Sequence, residues 1–106
     1  MHLQPAPFQK IQEGTKVIEI RLNDEKRKQL TVGDTIVFVH AQDAHLSIDS
    51  TIIALHYFPT FKDLYKAFDP IAFGGVGNDD PTEMHKYYPP HEEAQHGVVG
   101  IEIRKI

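Results

Sequence analysis

The sequence contains no cysteine. Disulfides, thiolate metal sites and cysteine nucleophiles are therefore excluded, and the lack fits a cytoplasmic protein. No apolar run approaches the roughly 20 residues that a membrane-spanning helix needs. The opening residues Met1-His2-Leu3-Gln4-Pro5 lack the basic and apolar regions of a signal peptide. There is no internal repeat and no low-complexity tract. A surplus of cations is missing too: the net charge is −4, which argues against broad, charge-driven binding to a long nucleic acid. Residues 71–80 hold three glycines, but no lysine-serine or lysine-threonine pair follows them, so they do not form a phosphate-loop pattern. Thr15, Thr31, Ser47, Ser50 and Thr60 offer hydroxyls, none in a nucleophile-elbow context. His85, His91 and His96, with Glu92 and Glu93 nearby, match no zinc spacing, and Pro89-Pro90 interrupts any helix that would align them. No metal and no cofactor is expected.

What is present suffices for one domain. A chain of 106 residues, 41% of them hydrophobic, can bury a core without staples. Residues 5–13 read as a short helix, with Pro5 or Pro7 in the first turn, Phe8 and Ile11 on one face, and Gly14 placed to stop it. A strand over 17–22 follows, then a charged connection, Asn23 to Gln29. Gly33-Asp34 is a turn feeding the β-branched strand 35–39, whose two apolar faces suggest burial on both sides. A long strand pattern runs from about His45 to Tyr57, and the polar Asp49-Ser50 in its middle suggests a bend or bulge that curls the sheet. Thr60 can cap a helix carrying Phe61, Leu64, Tyr65 and Phe68 as an apolar stripe, and Asp69-Pro70 ends it. Residues 71–80 read as a loose loop. Asp80-Pro81-Thr82-Glu83 starts a second helix, cut short by Pro89-Pro90. Gly97 opens the last strand, 98–104. The expected class is α+β, one domain over 1–106.

The informative stretch is Gly14-Thr15-Lys16 running into the strand. Ile18, Ile20 and Leu22 fall on one face; Val17, Glu19, Arg21 and Asn23 fall on the other, because strand side chains alternate. A carboxylate and a guanidinium are thus same-face neighbours, with a lysine at the strand's mouth. Two readings stand open: an exposed strand with a local ion pair of little consequence, or a ligand-binding strand at the rim of a small barrel. Charge distribution bears on the choice. Residues 10–28 carry six cations against four carboxylates, leaving −6 for the rest of the chain. A local basic patch on an acidic domain suits a small anionic ligand better than a duplex.

Gly14-Thr15-Lys16, Glu19-Ile20-Arg21-Leu22, Asp24-Glu25-Lys26-Arg27-Lys28 and Val32-Gly33-Asp34 together resemble the ASCH domain family. So do Phe61-Lys62-Asp63-Leu64-Tyr65 and the closing segment from Tyr87-Tyr88 through Glu92-Glu93 and His96-Gly97 to Ile103. The likeness is to small stand-alone members from bacteria and archaea, and it covers nearly the whole chain. It implies a PUA-like fold: a small β-barrel, helices at its ends, and a cleft beside the first strand. It also implies a link with RNA or with modified nucleosides as partners, with Lys16, Glu19 and Arg21 matching the family's signature. In one branch, amidohydrolases that deacetylate acetylated cytidine, a threonine thought to be the nucleophile stands where this chain has Glu19, while the lysine matches Lys16. That departure bears on the activity, although a carboxylate–lysine pair can still activate a water. Other members are reported as ribonucleases.

Chemically, Lys16 and Arg21 can hold a phosphate or a polarised carbonyl oxygen, Arg21 in bidentate fashion. Glu19 can accept from an exocyclic amine or serve as a general base. Asn23 extends the same strand face. Tyr87 and Tyr88 can stack on an unpaired base or simply cover the barrel mouth. The expected ligand-binding set is Lys16, Glu19, Arg21, Asn23, Tyr87 and Tyr88, with Lys16 and Glu19 catalytic if the protein is an enzyme. Binding of RNA or a nucleoside is the leading expectation and hydrolysis of a nucleoside amide or of RNA the alternative.

Overall fold

The computed structural model describes all 106 residues. The first nine-residue helix forms as its sequence dictates: α1 (Pro5–Glu13) starts on Pro5, buries Phe8 and Ile11, and ends where Gly14 takes the left-handed conformation at φ +86°. Around it runs one five-stranded sheet in the order β1-β3-β4-β5-β2. Its strands are β1 (His2–Leu3), β2 (Ile18–Leu22), β3 (Thr35–His40), β4 (Asp43–Phe58) and β5 (Val98–Lys105). All pairings are antiparallel except β1 with β3. The sheet curls into a half-barrel, and its two edge strands approach each other: Arg21 Nη2 on β2 donates to the His2 carbonyl on β1 at 3.3 Å. A side chain thus spans the seam that no ladder closes.

The strand register explains the two apolar clusters. Val99, Ile101 and Ile103 of β5 face the concave side with Phe38, Ile48, Ile52 and α1's Phe8 and Ile11. Val98 faces the other side with Ile18, Ile20 and Leu22 of β2. That outer face is covered by α2 (Phe61–Ala67), which contributes Phe61 and Leu64, both fully buried. Thr60 caps α2 by accepting from the Asp63 N–H at 3.1 Å, as its sequence predicts. No helix is long and apolar enough to cross a membrane.

Several local expectations change. The bulge in β4 falls between Ile52 and Ala54, not at Asp49-Ser50, because Ser50 stays in register and points into the core at 0% exposure. β3 is buried on one face only: Ile36 and Phe38 point inward, and no helix covers Val37 outside, which is 43% exposed. The 71–80 loop begins in a 3-10 turn, Pro70–Phe73, and buries Phe73. The helix at Asp80 is also 3-10, over Pro81–Lys86. Pro90 does not end a helix; it occupies the first turn of α3 (Pro90–His96), where its missing N–H costs nothing. The short β1 has no expectation to match.

Candidate functional site

Lys16 is delivered by the end of α1. The Thr15 and Lys16 N–H groups both donate to the Lys10 carbonyl at 3.1 Å, and the Val17 N–H then donates to the Ala72 carbonyl at 2.8 Å. This turn sends the Lys16 side chain inward, where the residue is only 6% exposed. Its Nζ donates to the Phe73 carbonyl at 2.9 Å and lies 3.3 Å from Glu19 Oε1. Gly74 makes room for it: φ is +87°, and a Cβ there would sit 3.1 Å from Lys16 Cδ. Lys10 holds the same turn from outside, donating to the Gly74 carbonyl at 2.8 Å.

The strand face bearing Glu19 and Arg21 is the concave one. Glu19 pairs with Ile101 and Arg21 with Val99 in the β2–β5 ladder, and both β5 residues belong to the concave core. Of the two readings of this strand, the exposed one fails on burial, since Glu19 is 6% exposed. Its Oε1 accepts from the Ile20 N–H at 3.1 Å and its Oε2 from Arg21 Nη2 at 3.3 Å. Two cations therefore share one carboxylate in a secluded place. Burial pushes the Lys16 ammonium below the usual lysine range; Glu19 opposes this, while Arg21 and Lys10 reinforce it.

Lys16, Glu19 and Arg21 form the floor of a cavity of about 370 Å³ that Tyr87 and Tyr88 also line. The structure thus brings together five of the six residues singled out from sequence. Asn23 lies beyond the end of β2, outside the lining residues, with its N–H donated to the Gly97 carbonyl at 3.0 Å. The two tyrosines differ. Tyr88 stacks on Phe61 with ring centroids 5.8 Å apart, so it belongs partly to the outer core. Tyr87 is 72% exposed at the mouth.

Sequence reasoning missed Tyr65, Phe73 and Asp79, all lining residues. Its spacing places Tyr65 on the apolar stripe of α2; it does lie against Phe73, centroids 4.6 Å apart, but it faces the cavity as well. Burial raises the Tyr65 phenol above its usual value, with Asp79, Glu83 and Asp80 adding to the effect. The signal for Asp79 lay in its neighbours: its carboxylate accepts from the Val76 and Gly77 N–H groups at 3.0 Å and folds the glycine-rich segment around itself. Two histidines pair with carboxylates instead. His85 pairs with Glu93 at 2.9 Å and His56 with Glu102 at 2.8 Å. No group of three or more histidine, aspartate or glutamate side chains is placed to hold a metal ion.

The crystal structure of hypothetical protein PH0355 is similar over 100% of this chain and 96% of its own, with a TM-score of 0.79 and 30% identity. The solution structure of protein PF0455 from Pyrococcus furiosus is similar over 100% of this chain and 94% of its own, at a TM-score of 0.69 and 25% identity. No curated protein matches the chain. The ASCH domain profile matches residues 1–106. A curled five-stranded half-barrel with a buried lysine–glutamate–arginine floor, matched by that profile from end to end, makes this chain a member of the ASCH domain family.

Proposed function

We propose that the cavity binds a single unpaired base, as a modified nucleoside or as one nucleotide of an RNA strand. The observation that carries this reading is the meeting of a charged floor and aromatic walls in one cavity of about 370 Å³, within the range of small-ligand sites. Unpaired bases are gripped by stacking on aromatic rings and by hydrogen bonds to their edges. Tyr65, Tyr87 and Tyr88 supply rings; Lys16 and Arg21 donate to a base carbonyl; Glu19 accepts from an exocyclic amine. The chain's acidic balance offers no long track, so the partner is a nucleoside or a short unpaired segment. An RNA or nucleoside partner fits a cytoplasmic setting, as does the cysteine-free sequence.

The test is a thermal-shift and turnover screen against normal and modified nucleosides, acetylated cytidine included, and short single-stranded RNA. Binding is supported by a ligand that raises the melting temperature, emerges chemically unchanged, and loses its effect with Arg21→Ala. A second reading, hydrolysis of a nucleoside amide or of RNA, draws on the depressed pKa of Lys16, since such perturbation clusters at catalytic sites. Against it stands the crowding of Glu19, whose carboxylate already takes the Ile20 N–H, Lys16 and Arg21. A product that disappears with Glu19→Gln would establish the hydrolase and set the binding module aside.

A further inference from the structure

Lys16 and Asp79 flank one pair of glycines. Lys16 Cδ packs on Gly74, and the Asp79 carboxylate lies against Gly75, where a side chain would run into it. Consecutive α-carbons are about 3.8 Å apart, so a cation and a carboxylate meet the same dipeptide. That dipeptide is fixed: the Gly74 N–H donates to the Ile71 carbonyl at 3.1 Å and the Gly75 N–H to the Pro70 carbonyl at 2.8 Å. Yet the two charges do not pair. The Lys16 ammonium goes to Glu19 and to the Phe73 carbonyl. The Asp79 carboxylate takes backbone N–H groups, Oδ2 from Val76 and Gly77 at 3.0 Å and Oδ1 from Val76 at 3.2 Å. Both residues line the cavity, and Asp79 is half-buried there.

Hydrogen-bonding capacity is unevenly spread in this cavity. Its two carboxylates are Glu19 and Asp79. Glu19 already holds the Ile20 N–H, Lys16 and Arg21. A carboxylate has about four lone-pair sites, so Glu19 has little left to give. Asp79 meets two backbone N–H groups and no cation, and its Oδ1 takes merely the longer share of one of them. It is the freer acceptor. Spare donors lie on the floor instead: a guanidinium carries five N–H bonds, and Arg21 uses Nη2 alone, on Glu19 and the His2 carbonyl. A ligand that fits both must bring an acceptor for the floor and a donor for Asp79.

We infer that Asp79 selects the base: the cavity takes a base with both a ring carbonyl and an exocyclic amine, of the cytosine or guanine type, the carbonyl on Lys16 and Arg21 and the amine on Asp79. The inference rests on the base-binding reading and deepens it by naming the class of base. An exocyclic amine carries two N–H bonds, so one can reach Glu19 while the other goes to Asp79. Uracil sets a carbonyl oxygen where cytosine has its amine, and that oxygen would face the carboxylate with no proton between them. Adenine has the amine but no carbonyl for the floor. A site built to pair a polar group rejects the analogue that lacks it, because its own polar groups are then left unpaired.

The test is calorimetric titration of the protein with matched nucleosides: cytidine against uridine, and guanosine against inosine, which lacks only the guanosine amine. Wild type is compared with Asp79→Asn and with Asp80→Asn, a charge control at an exposed position outside the lining residues. Folding of each variant is checked by thermal denaturation. In wild type the amine-bearing member of at least one pair should bind about tenfold or more tightly than its partner. Asp79→Asn should erase most of that preference, because the amide can turn an NH2 toward the ligand and accept the uridine or inosine carbonyl instead. Asp80→Asn should keep the preference whole. Should Asp79→Asn fail to fold, Asp79→Ser replaces it, since its hydroxyl still accepts from a loop N–H, and the same loss is expected. Nucleosides that bind with no preference for the amine would overturn the inference and leave the base-binding reading intact. A preference that survives at Asp79 gives the amine to Glu19 alone and overturns it, as does one lost equally in Asp80→Asn. Failure of every nucleoside to bind would remove both readings together.

Discussion

Glu19 and Glu93 are both largely buried carboxylates, with side chains 8% and 12% exposed. Each accepts from a backbone N–H and from at least one basic side chain. What they join is different. Glu93 of α3 accepts from the Phe61 N–H at 2.8 Å, 32 residues away at the start of α2, and from His85 at 2.9 Å. One carboxylate thus ties α3, α2 and the Pro81–Lys86 turn together. Glu19 reaches only Ile20, Lys16 and Arg21, none more than three residues distant. It ties no distant element, yet it keeps two cations secluded beside a cavity. Removing charges from water costs several kcal/mol per ion unless the geometry is excellent, and the Glu19 contacts at 3.1–3.3 Å are longer than those of Glu93. A carboxylate that costs desolvation and itself joins nothing distant, leaving the long-range ties to Lys16 on the Phe73 carbonyl and to Arg21 on the His2 carbonyl, is better explained by what it presents to the cavity than by stability.

The strongest challenge to this contrast is Glu93→Ala. It strips an acceptor from the N–H of fully buried Phe61 and leaves His85 unpaired. Loss of a charged acceptor at a buried donor should cost about 2–3 kcal/mol of unfolding free energy in a denaturant titration, with ligand affinity per folded molecule unchanged. Should binding vanish in a variant that remains folded, the two carboxylates would no longer divide into structural and functional. The converse substitution is Glu19→Gln. The amide keeps an acceptor for one neighbour but turns an NH2 toward another cation, so Lys16 or Arg21 loses its fixed position. Nucleoside affinity should fall about tenfold, roughly 1.4 kcal/mol, while Glu93→Gln leaves it alone. Titration of both variants with the same nucleoside decides the matter.

How much of this was readable beforehand follows from the range of the forces involved. The end of α1 at Gly14, the Thr60 cap and the alternation of β2 are local, set by residues within one or two turns, and the sequence carries them. The burial of Glu19 and Arg21 was only half legible. Alternation assigns them a common face, but that face becomes the concave one only when β5 pairs with β2 and α1 fills the half-barrel, both long-range events. Tyr65 and Tyr88 were ambiguous because an aromatic side chain suits core and binding wall alike. Asn23 shared the strand parity of Glu19, yet the chain leaves the ladder at that point, so parity no longer predicts direction. Phe73 was obscured because the turn that places it is held by Lys16 and Lys10, more than 50 residues away (separations of 57 and 64). α3 was missed because a proline pair reads as a stop, although Pro90 sits where a helix tolerates it.

A gentler probe of the floor is Gly74→Ala. The residue holds φ +87°, and the new Cβ would press on Lys16 Cδ at 3.1 Å. The left-handed conformation costs a non-glycine residue about 1 kcal/mol, so stability should drop by that amount in a urea titration. Because the crowded neighbour is Lys16, nucleoside affinity should fall several-fold too. A stability loss with untouched affinity would mean that Lys16 adjusts freely, and that its position is not what the cavity depends on.

The smallest effect tests the cost of the cluster itself. Burial lowers the Lys16 pKa below its ordinary 10.5, against the opposing pull of Glu19. Between the lowered folded value and 10.5, the unfolded chain binds more protons at this site than the folded one. Stability from Lys16 must therefore rise with pH across that window and be at its poorest below it. Tyr65 works in the other direction: its raised pKa means that stability is lost as pH climbs from 10.0 toward the folded value. Measuring wild type against Lys16→Met cancels Tyr65, since both chains keep it. The difference in unfolding free energy, wild type minus variant, should climb from the lowered folded value up to pH 10.5 and then level. A flat difference would mean that the bonds to Phe73 and Glu19 fully offset the burial of the ammonium, and Lys16 would then belong with Glu93 among the ties that hold the fold.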